Sequence, residues 1–114
     1  MKKFKKDIVK ILEDNDFIVG EITQQSNGIL VELNQSTPLG EDWWITIFFD
    51  GTNNGFIQEF YNYAYNFDID EEVECFVQGR GKNGIPNSVV DLVEDAQWKQ
   101  KILEETADKL YNLL

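Results

Sequence analysis

Residues 25–49 read QSNGILVELNQSTPLGEDWWITIFF, and this stretch decides the fold. Asn27-Gly28 stands between two apolar segments, the strongest short-range signal for a β-hairpin. After it, Ile29, Val31 and Leu33 alternate with Leu30, Glu32 and Asn34, the period of a half-buried strand. Ser36-Thr37-Pro38-Leu39-Gly40 places Pro and Gly where a second turn needs them. In the third run, Trp43, Ile45, Ile47 and Phe49 share one face, and Trp44, Thr46 and Phe48 share the other. Both faces are apolar, so this strand is expected to be central or covered by helices on both sides.

Outward from this core, Phe17–Gln24 supplies the strand before the hairpin. Phe4, Ile8, Ile11 and Leu12 form a helical stripe over about residues 3–13, ended by Asp14-Asn15-Asp16. Lysines crowd the start of that helix, where the helix dipole prefers anions. Downstream, Asp50-Gly51-Thr52-Asn53-Asn54-Gly55 leads into a second helix with Phe56, Phe60, Tyr63, Ala64 and Phe67 on its apolar side. Val73, Cys75 and Val77 alternate with Glu74, Phe76 and Gln78, which reads as a fourth strand. Ser88, with Asp91 three residues on, caps a terminal helix. Its apolar phase shifts near Gln97-Trp98, predicting a kink or two consecutive helices. The expectation is one α+β domain over 1–114: an antiparallel sheet of three to four strands with helices packed on it, in the order α-β-β-β-α-β-α, with a possible second terminal helix.

The composition narrows function. The chain has 114 residues, 21 acids, 10 bases, no histidine and one cysteine. Without histidine there is no imidazole base and no Ser-His-Asp triad. A lone Cys75 makes neither an intramolecular disulfide nor a Cys-rich zinc site, and a reducing cytoplasm is the expected compartment. Asp7, Lys10, Glu13 and Asp14 interrupt any signal-peptide apolar region after the N-terminal lysines, and no run approaches the ~20 apolar residues that span a bilayer. The net charge of −11 is segregated. Residues 1–10 carry +4, and the 69 residues between Lys10 and Arg80 hold 14 carboxylates and no base. Such a field repels nucleic acid and anionic membrane and attracts basic partners; its plainer reading is solubility alone.

Three motifs invite chemistry. Gly79-x-Gly81-x-x-Gly84 matches the dinucleotide fingerprint in letters but lacks the second parallel strand that motif needs. Arg80 and Lys82 in this loop are weak candidates for an anion. Asp50-x-Thr52-x-Asn54-Gly55 opens like a calcium loop, but Tyr61 stands where an EF-hand requires Glu, so an Asx turn capping a helix is the reading. Asp68-Ile69-Asp70-Glu71-Glu72 has Val73 where an EF-hand needs Gly. No metal or other cofactor is expected.

Glu41-Asp42-Trp43-Trp44-Ile45-Thr46-Ile47, Tyr63-Ala64-Tyr65-Asn66-Phe67-Asp68 and Gly81-Lys82-Asn83-Gly84-Ile85-Pro86 resemble small acidic proteins carried by mobile elements of Gram-positive bacteria. The resemblance covers residues 41–98. Part of that group, including antirestriction proteins, imitates DNA with carboxylates; the likeness assigns no residue. The leading expectation is a non-enzymatic acidic protein that occupies a basic protein surface, in its sharpest form a DNA mimic acting against a nuclease or defence protein. The contact would fall on Asp68, Asp70, Glu71, Glu72 and Glu74 with Asp14, Asp16, Glu41 and Asp42. An immunity protein or antitoxin for a basic toxin, and a small carboxylate-metal enzyme or ligand-binding domain, stand as alternatives. Mimicry requires the carboxylates to gather on one surface, and an enzyme requires a deep pocket with at least two buried acids.

Overall fold

The computed structural model describes residues 6–82 and 84–114. Its elements are α1 (Lys6–Asp14), β1 (Ile18–Gln25), β2 (Gly28–Ser36), β3 (Asp42–Phe49), α2 (Asn53–Tyr65), α3 (Ile69–Phe76) with a 3₁₀ turn (Val77–Gly79), and α4 (Val89–Tyr111). The expected start of the first helix at residues 3–5 lies outside the described residues. The strands form one antiparallel sheet in the order β1-β2-β3. The fold is α+β, with the order α-β-β-β-α-α-α.

α1 buries Ile8 and Leu12, one turn apart. It ends in a Schellman turn, in which Phe17 N donates to Leu12 O and Asp16 N to Glu13 O. Asp16 takes the left-handed position that glycine usually fills (φ 68°). The turn delivers Phe17 to the core and leaves the Asp16 side chain exposed.

The hairpin closes through Ser26-Asn27, with Gln25 opposite Gly28. Asn27 has no positive φ, so the glycine serves another purpose than a left-handed turn. A Cβ at Gly28 would sit 2.5 Å from the Phe49 carbonyl oxygen and 2.6 Å from the Phe48 ring. Gly28 is there because β3 runs against it. β1 is irregular between Val19 and Ile22, where its register against β2 shifts by a bulge. β2 and β3 pair without interruption from Ile29↔Phe49 to Ser36↔Asp42.

Ile29, Val31, Leu33, Trp43, Ile45, Ile47 and Phe49 form the covered face of the sheet. Phe56, Ile57, Phe60 and Ala64 of α2 and Leu103, Ala107 and Leu110 of α4 belong to the same core. Asp50 and Thr52 start α2 as an Asx turn. Asp50 Oδ1 accepts from Thr52 N and Oγ1, and Thr52 Oγ1 accepts from Gly55 N. Those bonds hold the Asp50 carboxyl below the usual carboxylate range. Ser88 caps α4 by accepting from Asp91 N, as its sequence implies.

Three expectations are corrected. β3 is an edge strand, and its second face, Trp44, Thr46 and Phe48, is exposed. The predicted fourth strand is α3. Asp68 caps it by accepting from Asp70 N and Glu71 N, and Asp70, Glu71 and Glu72 fill the first turn, where the helix dipole favours anions. Finally, α4 is one continuous helix of 23 residues. Its buried stripe runs Leu92, Asp95, Ala96, Lys99, Leu103, Thr106, Ala107, Leu110. The apparent phase shift arises because charged residues occupy two stripe positions. No described helix is long and apolar enough to cross a membrane.

Gly28→Ala is expected to lower stability by about 1–3 kcal/mol, the typical cost of overpacking, read as a drop in urea midpoint. A wild-type midpoint would show that β3 yields at no cost.

Candidate functional site

Alternation along β3 sends Trp43 into the core and Trp44 outward, where it is 65% exposed. The register sets Ile18, Asn34 and Trp44 in one row across the open face. Thr23, Leu30 and Phe48 form another row. Ile18, at 66% exposure, is as open as Trp44. Asn34 stands between Ile18 and Trp44 in that row, so the two exposed apolar side chains flank a polar one on the open face.

Hollows surround this face. One of about 570 Å³ lies at the end of the sheet, between Asp16, Gln35, Asp42 and Trp44. Asp42 Oδ1 there accepts from Ser36 Oγ at 2.6 Å. A second, of about 760 Å³, shares Asp42 and Trp44 and continues to Tyr63, Phe67, Glu72 and Phe76. A third, of about 520 Å³, shares Tyr63 and Glu72 and includes Glu59, Asp68 and Glu71 beside Thr46 and Phe48. Of the predicted contact acids, Asp16, Asp42, Glu72, Asp68 and Glu71 therefore line adjoining hollows along β3. Asp14, Asp70 and Glu74 are exposed but line none of the three, and Asp14 pairs with Lys10 at 3.1 Å.

Glu41 needs correction, because it is only 2% exposed and cannot serve as a surface contact. The Lys99 ammonium, itself buried, lies 2.8 Å from Glu41 Oε1 and 2.8 Å from Glu72 Oε1. It also sits 5.4 Å from the Trp43 ring centre and 5.0 Å from that of Phe76, within cation–π range. One turn earlier on α4, Asp95 Oδ2 accepts from Thr37 Oγ1 at 2.7 Å. Thr37 Oγ1 in turn accepts from Glu41 N. α4 thus fastens the β2–β3 turn through Thr37 and Glu41, and α3 through Glu72. Burial pushes the Glu41 carboxyl above the usual carboxylate range. The bond and charge of Lys99 pull it back in part, and Asp95 and Glu72 add to the rise.

This cluster has a structural character. One ammonium engages both Glu41 and Glu72, and of the two buried acids, Glu41 and Asp95, only Glu41 lines the second hollow. Among the described residues no group of three or more Cys, Asp or Glu side chains is arranged to hold a metal ion. Arg80 and Lys82 are exposed in a loop closed by its own backbone, Gly81 N donating to Ile85 O and Ile85 N to Lys82 O. Arg80 Nε donates to Val77 O. Both residues precede the α4 N-terminus, which Ser88 caps, by several positions. The dinucleotide spacing also follows a helix and 3₁₀ turn, where that motif needs a strand.

Sequence reasoning missed Lys99 and Asp95. Their signal was present: they lie four apart within the stripe Leu92–Ala96–Leu103, and an acid buried in a stretch without bases must find its cation elsewhere. No family model matches this chain, and neither a curated protein nor a solved structure matches it.

Lys99→Met is expected to cost about 3–5 kcal/mol, because it leaves buried carboxylate uncompensated; urea unfolding would show this, and adding Glu41→Gln should recover part of the loss. The raised Glu41 pKa has a definite sign. Its contribution to stability is full below the ordinary value of 4.5 and is lost as pH rises through the higher folded value. Wild type should therefore gain stability relative to Glu41→Gln as pH falls from neutral toward 4.5. Parallel pH profiles for the two proteins would refute this.

Proposed function

We propose that this chain is a non-enzymatic acidic binding protein whose open sheet face, centred on Trp44 and rimmed by carboxylates, docks on a basic surface of a partner protein. The observation that carries the reading is the exposure of Trp44 in a row with Ile18, beside hollows lined by Asp16, Asp42, Asp68, Glu71 and Glu72. Tryptophan is enriched among residues that dominate binding energy when a partner desolvates them. The surrounding carboxylates would steer a cationic partner and fix its register. No base lies between Lys10 and Arg80 to oppose that field.

The sharpest form is imitation of DNA against a nuclease or defence protein. A duplex presents about one charge per 1.7 Å of axis, and exposed Asp70, Glu71 and Glu74 on α3 with Asp68 at its cap supply the densest run of negative charge here. The aromatic centre favours the second form, an immunity protein or antitoxin with one cognate basic partner. A phosphate surface offers no counterpart to an exposed indole and isoleucine, whereas a toxin surface with an apolar recess does.

The test uses a partner captured on the tagged chain and then purified. Trp44→Ala is expected to weaken binding by about 2 kcal/mol, near thirtyfold, and added salt should weaken it further. DNA competing for the partner supports mimicry; a complex that DNA leaves intact supports a cognate immunity pair. Affinity indifferent to both Trp44 and salt would sink the proposal.

A further inference from the structure

β3 is an edge strand whose outer border carries none of the devices that discourage pairing. Asp42–Phe49 reads DWWITIFF, with no proline, no lysine and a charge only at its first residue. Its register against β2 contains no bulge. β1, the opposite edge, has a bulge with Glu21 inside it. Proteins blunt their free edges with charges, prolines or bulges, so a regular apolar edge is a place where a further strand pairs.

The register identifies the groups on that border. Thr37 N donates to Glu41 O across the β2–β3 turn. Thr37 and Glu41 stand one step beyond the Ser36↔Asp42 pair, and bonded pairs alternate along an antiparallel ladder. Trp43, Ile45 and Ile47 therefore turn their backbone N–H and C=O toward β2, while Trp44, Thr46 and Phe48 turn theirs outward. No turn, loop or capping bond among the described residues takes those outward groups. The chain crowds only the start of this border, where a Cβ on Gly84 would lie 3.6 Å from Asp42 N.

A trough runs along the same border. Its two hollows, of about 760 and 520 Å³, share Tyr63, Phe67 and Glu72. β3 lends them side chains from both its faces, Trp43 and Ile47 with Trp44 and Phe48, so the trough follows the edge of the strand. The far wall is acidic. Lys99 engages Glu72, which leaves Glu59 on α2, Asp68 at the α3 cap and Glu71 on α3. No lysine or arginine lines either hollow among the described residues. That wall opposes a second copy of a chain carrying −11 and complements a basic segment.

We infer that β3 accepts an extended basic segment of a partner protein, which adds to the sheet as a fourth strand along Trp44–Phe48. Main-chain bonds to Trp44, Thr46 and Phe48 hold it, and the alternation of a strand divides its side chains. One set lies over the open face beside Trp44 and Phe48 and suits apolar residues. The other turns toward α2 and α3, where lysine or arginine meets Glu59, Asp68 and Glu71. The inference rests on the proposed docking to a basic partner and specifies that the partner engages through its backbone, at the border of the sheet.

The probe is an acetylated, amidated heptapeptide of alternating lysine and valine, titrated into the isotope-labelled chain and followed by NMR. Saturable shifts at the Trp44, Thr46 and Phe48 amides are expected, with slower hydrogen exchange at those three. N-methylation of one alternate set of peptide amides should abolish binding, and methylation of the other set should spare it, because only one border of the peptide faces β3. Thr46→Pro removes an outward N–H that β2 does not use, at a position where an edge strand tolerates proline. It should weaken binding by about tenfold, with Thr46→Val near wild type, and thermal melts check both folds. Equal binding by the two methylated peptides, shifts confined to α3, equal binding by a glutamate–valine peptide, or self-association of the chain through β3 would overturn the inference. If the peptide does not pair with β3 while a captured basic partner still binds in a manner sensitive to Trp44 and salt, the inference falls and the docking function stands. If it pairs with β3 while partner binding ignores Trp44 and salt, the docking function falls and the pairing edge stands.

Discussion

One buried ammonium organises this molecule. Lys99 lies on a helix that enters late in the chain, yet its two carboxylate partners come from the β2–β3 turn, 58 residues earlier, and from α3, 27 residues earlier. Neither partner has a base near it in sequence. Desolvating Glu41 is unfavourable unless a cation is already in place, so the turn and the two helices can adopt their positions only together. Apolar contacts are tolerant of small slips, but an ion pair 2.8 Å long is not. The location of α3, and with it the shape of the cleft beside Trp44, follows from this constraint.

The second determinant is a shortage of cover. A three-stranded sheet has two faces, and α2 and α4 meet only one of them. The other keeps Ile18, Trp44 and part of Phe48 in water. Acidic side chains from α3, the α1–β1 turn and the start of β3 border that face. Apolar centre and charged margin therefore arise from separate pieces of chain, joined only in the folded state.

Much of this was legible in the residues. The Asn27-Gly28 dipeptide located the hairpin, although the glycine is required by the closeness of β3 and not by its own φ. Ser88 and Asp91 marked the start of α4, and Asp50, Thr52 and Gly55 the start of α2. Two readings failed for a common reason. Val73, Cys75 and Val77 alternate like a strand, but the alternation is short and the Asp68 cap and acidic first turn outweigh it. In α4, Asp95 and Lys99 fill the inner face, and a stripe containing charges looks like a broken stripe. β3 misled in the opposite direction. Trp44 and Phe48 read as covered because they are apolar, whereas an edge strand can leave apolar side chains on one face exposed. Of the acids expected at a contact, Asp16, Asp42, Asp68, Glu71 and Glu72 line hollows along β3, but their sequence positions could not separate them from Glu41, whose surroundings depend on a residue far away.

The bulge in β1 bears on how the molecule behaves in a crowd. β1 is one of the two outer strands of the sheet, and an uninterrupted outer strand is a template on which another chain can add its own. The shift between Val19 and Ile22 breaks the even spacing of amide and carbonyl groups along that border, and Glu21 places a charge within the break. The chain can thus leave one face of its sheet bare while discouraging growth from this side of the sheet into ordered aggregates.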